Sequence, residues 1–250
     1  MNVAAYLDRI AYRGPLDPTF ETLRRLHLAH LLHVPFENLS IHLGEPIVLN
    51  DGALFEKIVT RQRGGFCYEL NGLFAWLLRE LGFDVAMLSA CVARDDGSFT
   101  PDFAHMTLSV KAHERLWLAD VGFGDSFIEP LVLEGGPQQQ REYIYRIAAA
   151  GNDTFLLERA TPGGDWKSQY RFSLTPYQYG AYADMCRFQE SSPESHFTQQ
   201  RICSRLTPEG RISLSDMRFI RTENGVRECV SIPTQEAYAS LLSQEFGIVM

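Results

Sequence analysis

Arg63-Gly64-Gly65-Phe66-Cys67-Tyr68-Glu69-Leu70-Asn71-Gly72-Leu73-Phe74 is the stretch on which the reading of this chain turns. Two glycines lead into a cysteine. From there Leu70, Leu73, Phe74, Leu77, Leu78 and Leu81 recur at helical spacing, and Gly82 is placed to end the helix. The pattern predicts a helix whose first turn holds Cys67. There, unpaired backbone N–H groups and the positive end of the helix dipole favour a thiolate over a thiol. The glycine pair predicts a sharp turn that lets another molecule approach the backbone. A cysteine that only fills a core needs neither feature.

Working outward to the N-terminus, Asn2 caps a short helix that runs to Ile10, and Gly14-Pro15 breaks it. Asp17-Pro18 opens a second helix with Phe20, Leu23, Leu26, Leu31 and Leu32, which Pro35 stops. His27, His30 and His33 lie within it. Neighbouring pairs could share a metal, but the third ring drifts round the helix and no carboxylate or cysteine keeps step, so no metal is expected. Pro35 to Asn38 reads as a loop, and Asn50 or Asp51 starts a further helix.

Towards the C-terminus the period falls to two from Phe83 onward. Strands are expected at 85–93, 105–111, 116–121, 143–149, 154–159 and 169–174, enough short strands for a barrel or curled sheet. A helix is expected over 176–187 and a polar loop over 189–196. Strand patterns at 211–214 and 226–232 precede a last helix over 234–246. The fold class is therefore α+β, in three parts. Residues 1–84 form a helical part, 85–190 a barrel or curled sheet, and 191–250 a mixed α/β part.

A cysteine nucleophile needs a base, and the base needs a group to orient it. The second and third strands offer both. If their turn centres between Ala112 and His113, His105 stands directly opposite Asp120 on the same face, within reach of a carboxylate–imidazole hydrogen bond. An ordinary polar cross-strand pair would look the same. Together with the cysteine at a helix start, the pair suggests a Cys67–His105–Asp120 triad.

Composition sets limits on the partners. The formal charge of −8 argues against a nucleic-acid binder and requires any anionic ligand to find a local pocket of donors. The five cysteines, odd in number and with no CxxC pair, fit a reducing compartment better than a disulfide framework or zinc site. No apolar run approaches a signal peptide or membrane span, so a cytoplasmic, membrane-free protein is expected. The oligomeric state is not legible.

Arg63-Gly64-Gly65-Phe66-Cys67, His105 and Asp120-Val121-Gly122-Phe123-Gly124 resemble the motifs of the arylamine N-acetyltransferases. His27 to Asn38 (HLAHLLHVPFEN) and Ser192-Pro193-Glu194-Ser195-His196-Phe197 do so as well. That resemblance implies a helical bundle, β-barrel and α/β lid around a cysteine-protease-like catalytic core. It also implies acetyl transfer from acetyl-CoA, without a metal, to an aromatic amine, hydrazine or N-hydroxyarylamine through an acetyl-cysteine. Cys67 would be the nucleophile, His105 the base and then acid, and Asp120 the group that holds the imidazole. Phe36, Phe123 and Phe197 would line the acceptor pocket, and Gly122 and Gly124 would keep the approach of the coenzyme open.

Two features depart from the family pattern. Asp102 stands where small residues often meet the coenzyme, and an anionic side chain suits an anionic coenzyme poorly. The sequence ends at Met250, soon after the last helix, which implies a shorter lid and measurable leakage of the acetyl group to water. A cysteine hydrolase or transglutaminase on the same triad is a rival reading. A silent module that binds aromatic compounds is another.

Overall fold

Asn2 accepts the Ala4 N–H and so begins helix α1 (Val3–Arg9). Helix α2 (Phe20–His33) begins one residue after Thr19, whose hydroxyl takes the Thr22 N–H. The cap is thus Thr19 and not Asp17. The chain then makes strand β1 (Phe36–Glu37), α3 (Leu39–Leu43) and α4 (Asp51–Phe55), which runs into a π-helical turn, Glu56–Thr60. Helix α5 (Cys67–Glu80) follows, with Cys67 as its first residue. The segment expected as a loop at Pro35–Asn38 thus contains a strand. The structure is a computed structural model and describes residues 1–151 and 153–249. Met250, on which the expectation of a short lid rests, lies outside the described residues.

Every residue of α5 from Cys67 to Leu78 is buried. A helix apolar on one face would expose the other. This one is wrapped on all sides by α1, α2 and strands β2 (Asp84–Val92), β3 (His105–Ala112) and β4 (Arg115–Ala119). The polar residues Glu69 and Asn71 are therefore deep in the protein and must be paired there. Gly82, at φ +86, ends the helix as its sequence position suggests.

Strands β2, β3 and β4 continue into β5 (Leu131–Val132), β6 (Gln138–Gln140), β7 (Tyr143–Ala149), β8 (Thr154–Ala160) and β9 (Lys167–Tyr177). They form an antiparallel sheet in the order β5-β4-β3-β2-β9-β8-β7-β6, curled into a nearly closed barrel. At the seam between β5 and β6, side chains take over from the backbone ladder. Gln138 accepts the Val132 N–H at 3.1 Å. Gln140 accepts the N–H groups of Ile128 and Glu129 and donates to the Glu129 carbonyl. Leu118, Phe127, Leu131, Tyr145, Leu157 and Phe172 fill the interior.

Helices α6 (Tyr179–Ser191) and α7 (His196–Gln199) lead to a second sheet. It comprises β10 (Ile202–Leu206), β11 (Gly210–Ser215), β12 (Arg218–Glu223) and β13 (Val226–Ser231), and α8 (Gln235–Phe246) follows. The first strand of this sheet comes from the other end of the chain. β1 pairs Phe36 with Ser204 and Glu37 with Cys203. Through Phe36 the lid sheet reaches the start of α5, because Phe36 also bridges Gly65.

Candidate active site

The geometry of Cys67 begins with Phe66, extended at φ −99. Glu69, three residues on, turns its Oε2 back to the Phe66 N–H at 3.1 Å. The N–H groups of Cys67 and Tyr68 have no acceptor among the described residues. Glu69 also meets Lys57 Nζ at 2.7 Å, and Glu37 meets Arg63 at 2.9 Å, so a buried ionic layer lies beneath the helix start. The two glycines serve this packing and do not open a path for a ligand. A Cβ on Gly64 would meet the Pro35 carbonyl oxygen, and one on Gly65 would stand 2.7 Å from the Glu69 side chain.

His105 and Asp120 meet, though not as direct cross-strand partners. β3 and β4 pair Ala112 with Arg115 and Leu108 with Ala119, so the turn is His113-Glu114, with His113 at φ +54. Asp120 lies just past the end of β4, and continuing the register sets it opposite Thr107. A slip of two residues leaves each side chain on its expected face, so the pair forms diagonally. His105 Nε2 lies 2.7 Å from Asp120 Oδ2. Cys67 is the ring's other electrostatic partner, and with Nε2 taken by Asp120 it is Nδ1 that is left for the thiol.

Three further donors converge on the carboxylate. Asn71 Nδ2 and the Gly122 N–H donate to Oδ1, at 2.8 and 3.0 Å, and the Tyr170 hydroxyl donates to Oδ2 at 3.0 Å. The Asp120 N–H donates to His27 Nε2 at 3.1 Å, and His27 Nδ1–H donates to the Ile128 carbonyl. His27 is therefore a neutral ring with its proton on Nδ1. Burial lowers its pKa to about 4 even though Ile128 and Asp120 pull the other way. For His105, burial alone would favour the neutral ring, but the Asp120 charge and hydrogen bond, aided by Cys67, reverse this and hold it at about 10. Burial likewise opposes the Asp120 charge. His105, Asn71 and Gly122 overcome that and keep the carboxyl below its ordinary range. An imidazolium facing the Cys67 sulfur stabilises negative charge on it.

A cavity of about 210 Å³ opens over Cys67 and His105. Phe36, Phe123 and Phe197 all line it, as do Gly122, Gln189 and His196. Phe123 packs edge-on to His105 at 5.1 Å between centroids. The cavity is smaller than the roughly 300–1,000 Å³ of drug-sized pockets, which suits one small ring. It adjoins a groove of about 660 Å³ between the barrel and the lid sheet, bordered by the same three phenylalanines. Gly124, at φ +91, lies on the groove. Gly122, on the cavity wall, also has a packing role. A Cβ there would stand 2.8 Å from the Cys67 Cα, so its absence lets the Asp120 loop rest on the first turn of α5.

Asn71, Tyr170 and His27 were not singled out as site residues from the sequence. Asn71 stands one helical turn after Cys67, a spacing that could have exposed it. Tyr170 enters from β9, and nothing local marks it. Asp102 accepts the Cys91 S–H at 3.0 Å. His27, His30 and His33 have separate partners (Ile128 and Asp120, Tyr6, and Ala29), and no metal-holding cluster is found among the described residues.

A buried carboxylate that orients an imidazole beside a helix-start cysteine is an arrangement able to activate a thiol as a nucleophile. Comparison with known proteins narrows the class. Residues 19–250 match the family model described as N-acetyltransferase. The arylamine N-acetyltransferase / N-hydroxyarylamine O-acetyltransferase of Salmonella typhimurium is 36% identical over 98% of this chain and 88% of its own length. The solved arylamine N-acetyltransferase from Salmonella typhimurium superposes with a TM-score of 0.92 over 98% of this chain and 90% of its own. That of Mycobacterium marinum in complex with CoA, 32% identical, does so at 0.90 over 99% and 93%. The chain belongs to the arylamine N-acetyltransferase family and is an acetyl-CoA-dependent acyltransferase.

Proposed function

We propose that this chain moves an acetyl group from acetyl-CoA to aromatic amines, hydrazines or N-hydroxyarylamines in two half-reactions, through an acetyl thioester on Cys67. The observation that carries the reading is His105, bound by Nε2 to Asp120 and facing Cys67 with its other nitrogen, at the floor of a phenylalanine-walled cavity. The thiolate attacks the thioester carbonyl. The resulting oxyanion lies near the unpaired N–H groups of Cys67 and Tyr68. The C–S bond to the coenzyme then breaks, and its sulfur takes the proton from His105 Nδ1. An aromatic amine, a weak base, arrives neutral and attacks the acetyl-Cys67 carbonyl. His105 accepts the proton that the amine nitrogen loses, and Cys67 leaves as thiolate, ready for another cycle.

Phe36, Phe123 and Phe197 form the acceptor walls in this reading, since ring contacts add about 0.5–1.5 kcal/mol each beyond burial. The adjoining groove, bordered by Gly124, Arg141, Arg211 and Arg227, supplies the local donors that an anionic coenzyme needs on a protein of charge −8. We assign the nucleophile to residues 1–84, His105 and Asp120 to a barrel over 85–190, and the groove's outer wall to a lid over 191–250. The barrel interior and the lid each have a core of their own, while α5 shares one with β2–β4 across the first boundary. A cytoplasmic location fits the five free thiols, and no helix among the described residues is long and apolar enough to cross a membrane.

Intact-mass measurement tests the covalent step. Acetyl-CoA alone should add one acetyl group, an arylamine should remove it, and Cys67→Ala should never acquire it. An adduct that persists in Cys67→Ala, or that maps to Cys91 or Cys203, overturns the assignment.

A further inference from the structure

The groove between barrel and lid holds an ion pair with an unusual imbalance. Arg211 lines it with a side chain only 17% exposed; its Nε meets Asp125 Oδ1 at 3.3 Å and its Nη1 donates to the Ser204 hydroxyl at 3.2 Å. Burial acts against the Arg211 charge more strongly than Asp125 restores it, and the nearby Arg141 adds to the opposition. Asp125 itself is 63% exposed. Its other oxygen lies 3.3 Å from Arg159, which also donates to the Asp125 carbonyl at 3.4 Å. One long, solvent-facing carboxylate thus serves two guanidinium groups. Arg227 borders the same groove with no ion pair among the described residues, and Arg141 donates only to the carbonyls of Thr207, Pro208 and Gly210. A half-buried cation is best served by a close, multiply bonded anion, and a pair of this length with an exposed partner contributes little.

We infer that Asp125 is an internal stand-in for a phosphate of the acyl donor, holding Arg211 and Arg159 until the donor arrives and then giving up its place. A phosphate offers three oxygens to planar guanidinium forks and binds them bidentately, which a carboxylate at 3.3 Å does not. The swap has a route through the backbone. Gly124, immediately before Asp125, is at φ +91, a conformation open to glycine, and Gly122 pins the start of the loop against Cys67. The Arg159 contact with the Asp125 carbonyl can persist when the carboxylate swings out. Asp125 is then a specificity residue. It competes with phosphate-bearing donors more than with donors that lack phosphate.

This rests on the groove being the coenzyme site, so the test separates the two. CoA and dephospho-CoA binding would be measured by calorimetry in the wild type, Asp125→Asn and Arg211→Gln. Turnover would be measured with acetyl-CoA and with S-acetylpantetheine, which lacks phosphates. Asp125→Asn should tighten CoA about three- to tenfold and lower KM for acetyl-CoA by more than it lowers KM for S-acetylpantetheine. Arg211→Gln should weaken CoA by a similar factor. If dephospho-CoA loses the Asp125→Asn gain, the 3′-phosphate is the displacing group. If it keeps the gain, the diphosphate is, and either result supports the exchange. If Arg211→Gln weakens CoA but Asp125→Asn weakens it too or changes nothing, Asp125 is a fixed support and the inference fails while the groove stands. If Arg211→Gln leaves CoA binding unchanged, the groove is not the phosphate site and both fall.

Discussion

Asp120 shows how a single carboxylate can be kept charged deep inside a protein. Four donors surround it, and one of them, Asn71, is fixed by two further bonds, to the Met106 carbonyl at 2.6 Å and from the Val121 N–H at 2.9 Å. Asp120→Asn should fold, because the amide keeps the shape. It removes the charge that holds His105 at about 10 and can present an N–H where an acceptor is needed. Turnover should fall about 10³–10⁴-fold, with the pH dependence of Cys67 alkylation altered. Activity within a few fold of wild type would contradict this role. Asn71→Leu tests the support beneath it. Three buried groups lose a partner at once, for a cost of roughly 2–5 kcal/mol visible as a lowered urea midpoint. An unfolding free energy within a fraction of a kcal/mol of wild type would mean that the network relaxes around the loss.

Elements were legible in the sequence where periodicity and caps agree, as in α5, β2, β3 and α8. Face was more legible than register. The parity of His105 and Asp120 survived a two-residue slip because the turn fell at His113-Glu114, which the apolar alternation of the strands does not fix. β1 was hidden because two residues have no period, and their partners lie more than 160 residues away in β10. The seam of the barrel was hidden for a different reason. Glutamine side chains close it, and no strand pattern marks them. The glycine pair was seen but misread. Its small size is used inside the protein, and a direct comparison can show this. Gly64→Ala drives a methyl into the Pro35 carbonyl and should destabilise by roughly 3 kcal/mol, whereas Gly136, with nothing within 4 Å of its added Cβ, should tolerate alanine. Equal melting temperatures for the two variants would refute the packing account.

Considered as a whole, the molecule carries opposed pH dependences built from its buried histidines. His105, raised to about 10, contributes stability that is fully present below 6.5 and fades as pH climbs through 10, so it weakens nothing in mild acid. His27, lowered to about 4, acts in the other direction. Below 6.5 the unfolded chain takes up a proton that the folded ring refuses, so folding weakens steadily until pH falls through about 4. His30, fully buried and pushed well below its ordinary value first by burial and then by Arg9, adds to the same loss. Asp120, held low, joins only in stronger acid, below the ordinary carboxylate range. The His27 contribution alone amounts to roughly 3 kcal/mol between pH 6.5 and 4, at about 1.4 kcal/mol per unit. Urea unfolding at successive pH values should therefore show stability falling from neutrality towards pH 4.5. His27→Gln keeps a donor and an acceptor near Ile128 and Asp120 but cannot take up the proton. Its slope against pH should be shallower than that of the wild type by close to one proton per molecule. An identical slope in the two proteins would place the acid sensitivity elsewhere and remove His27 from the account.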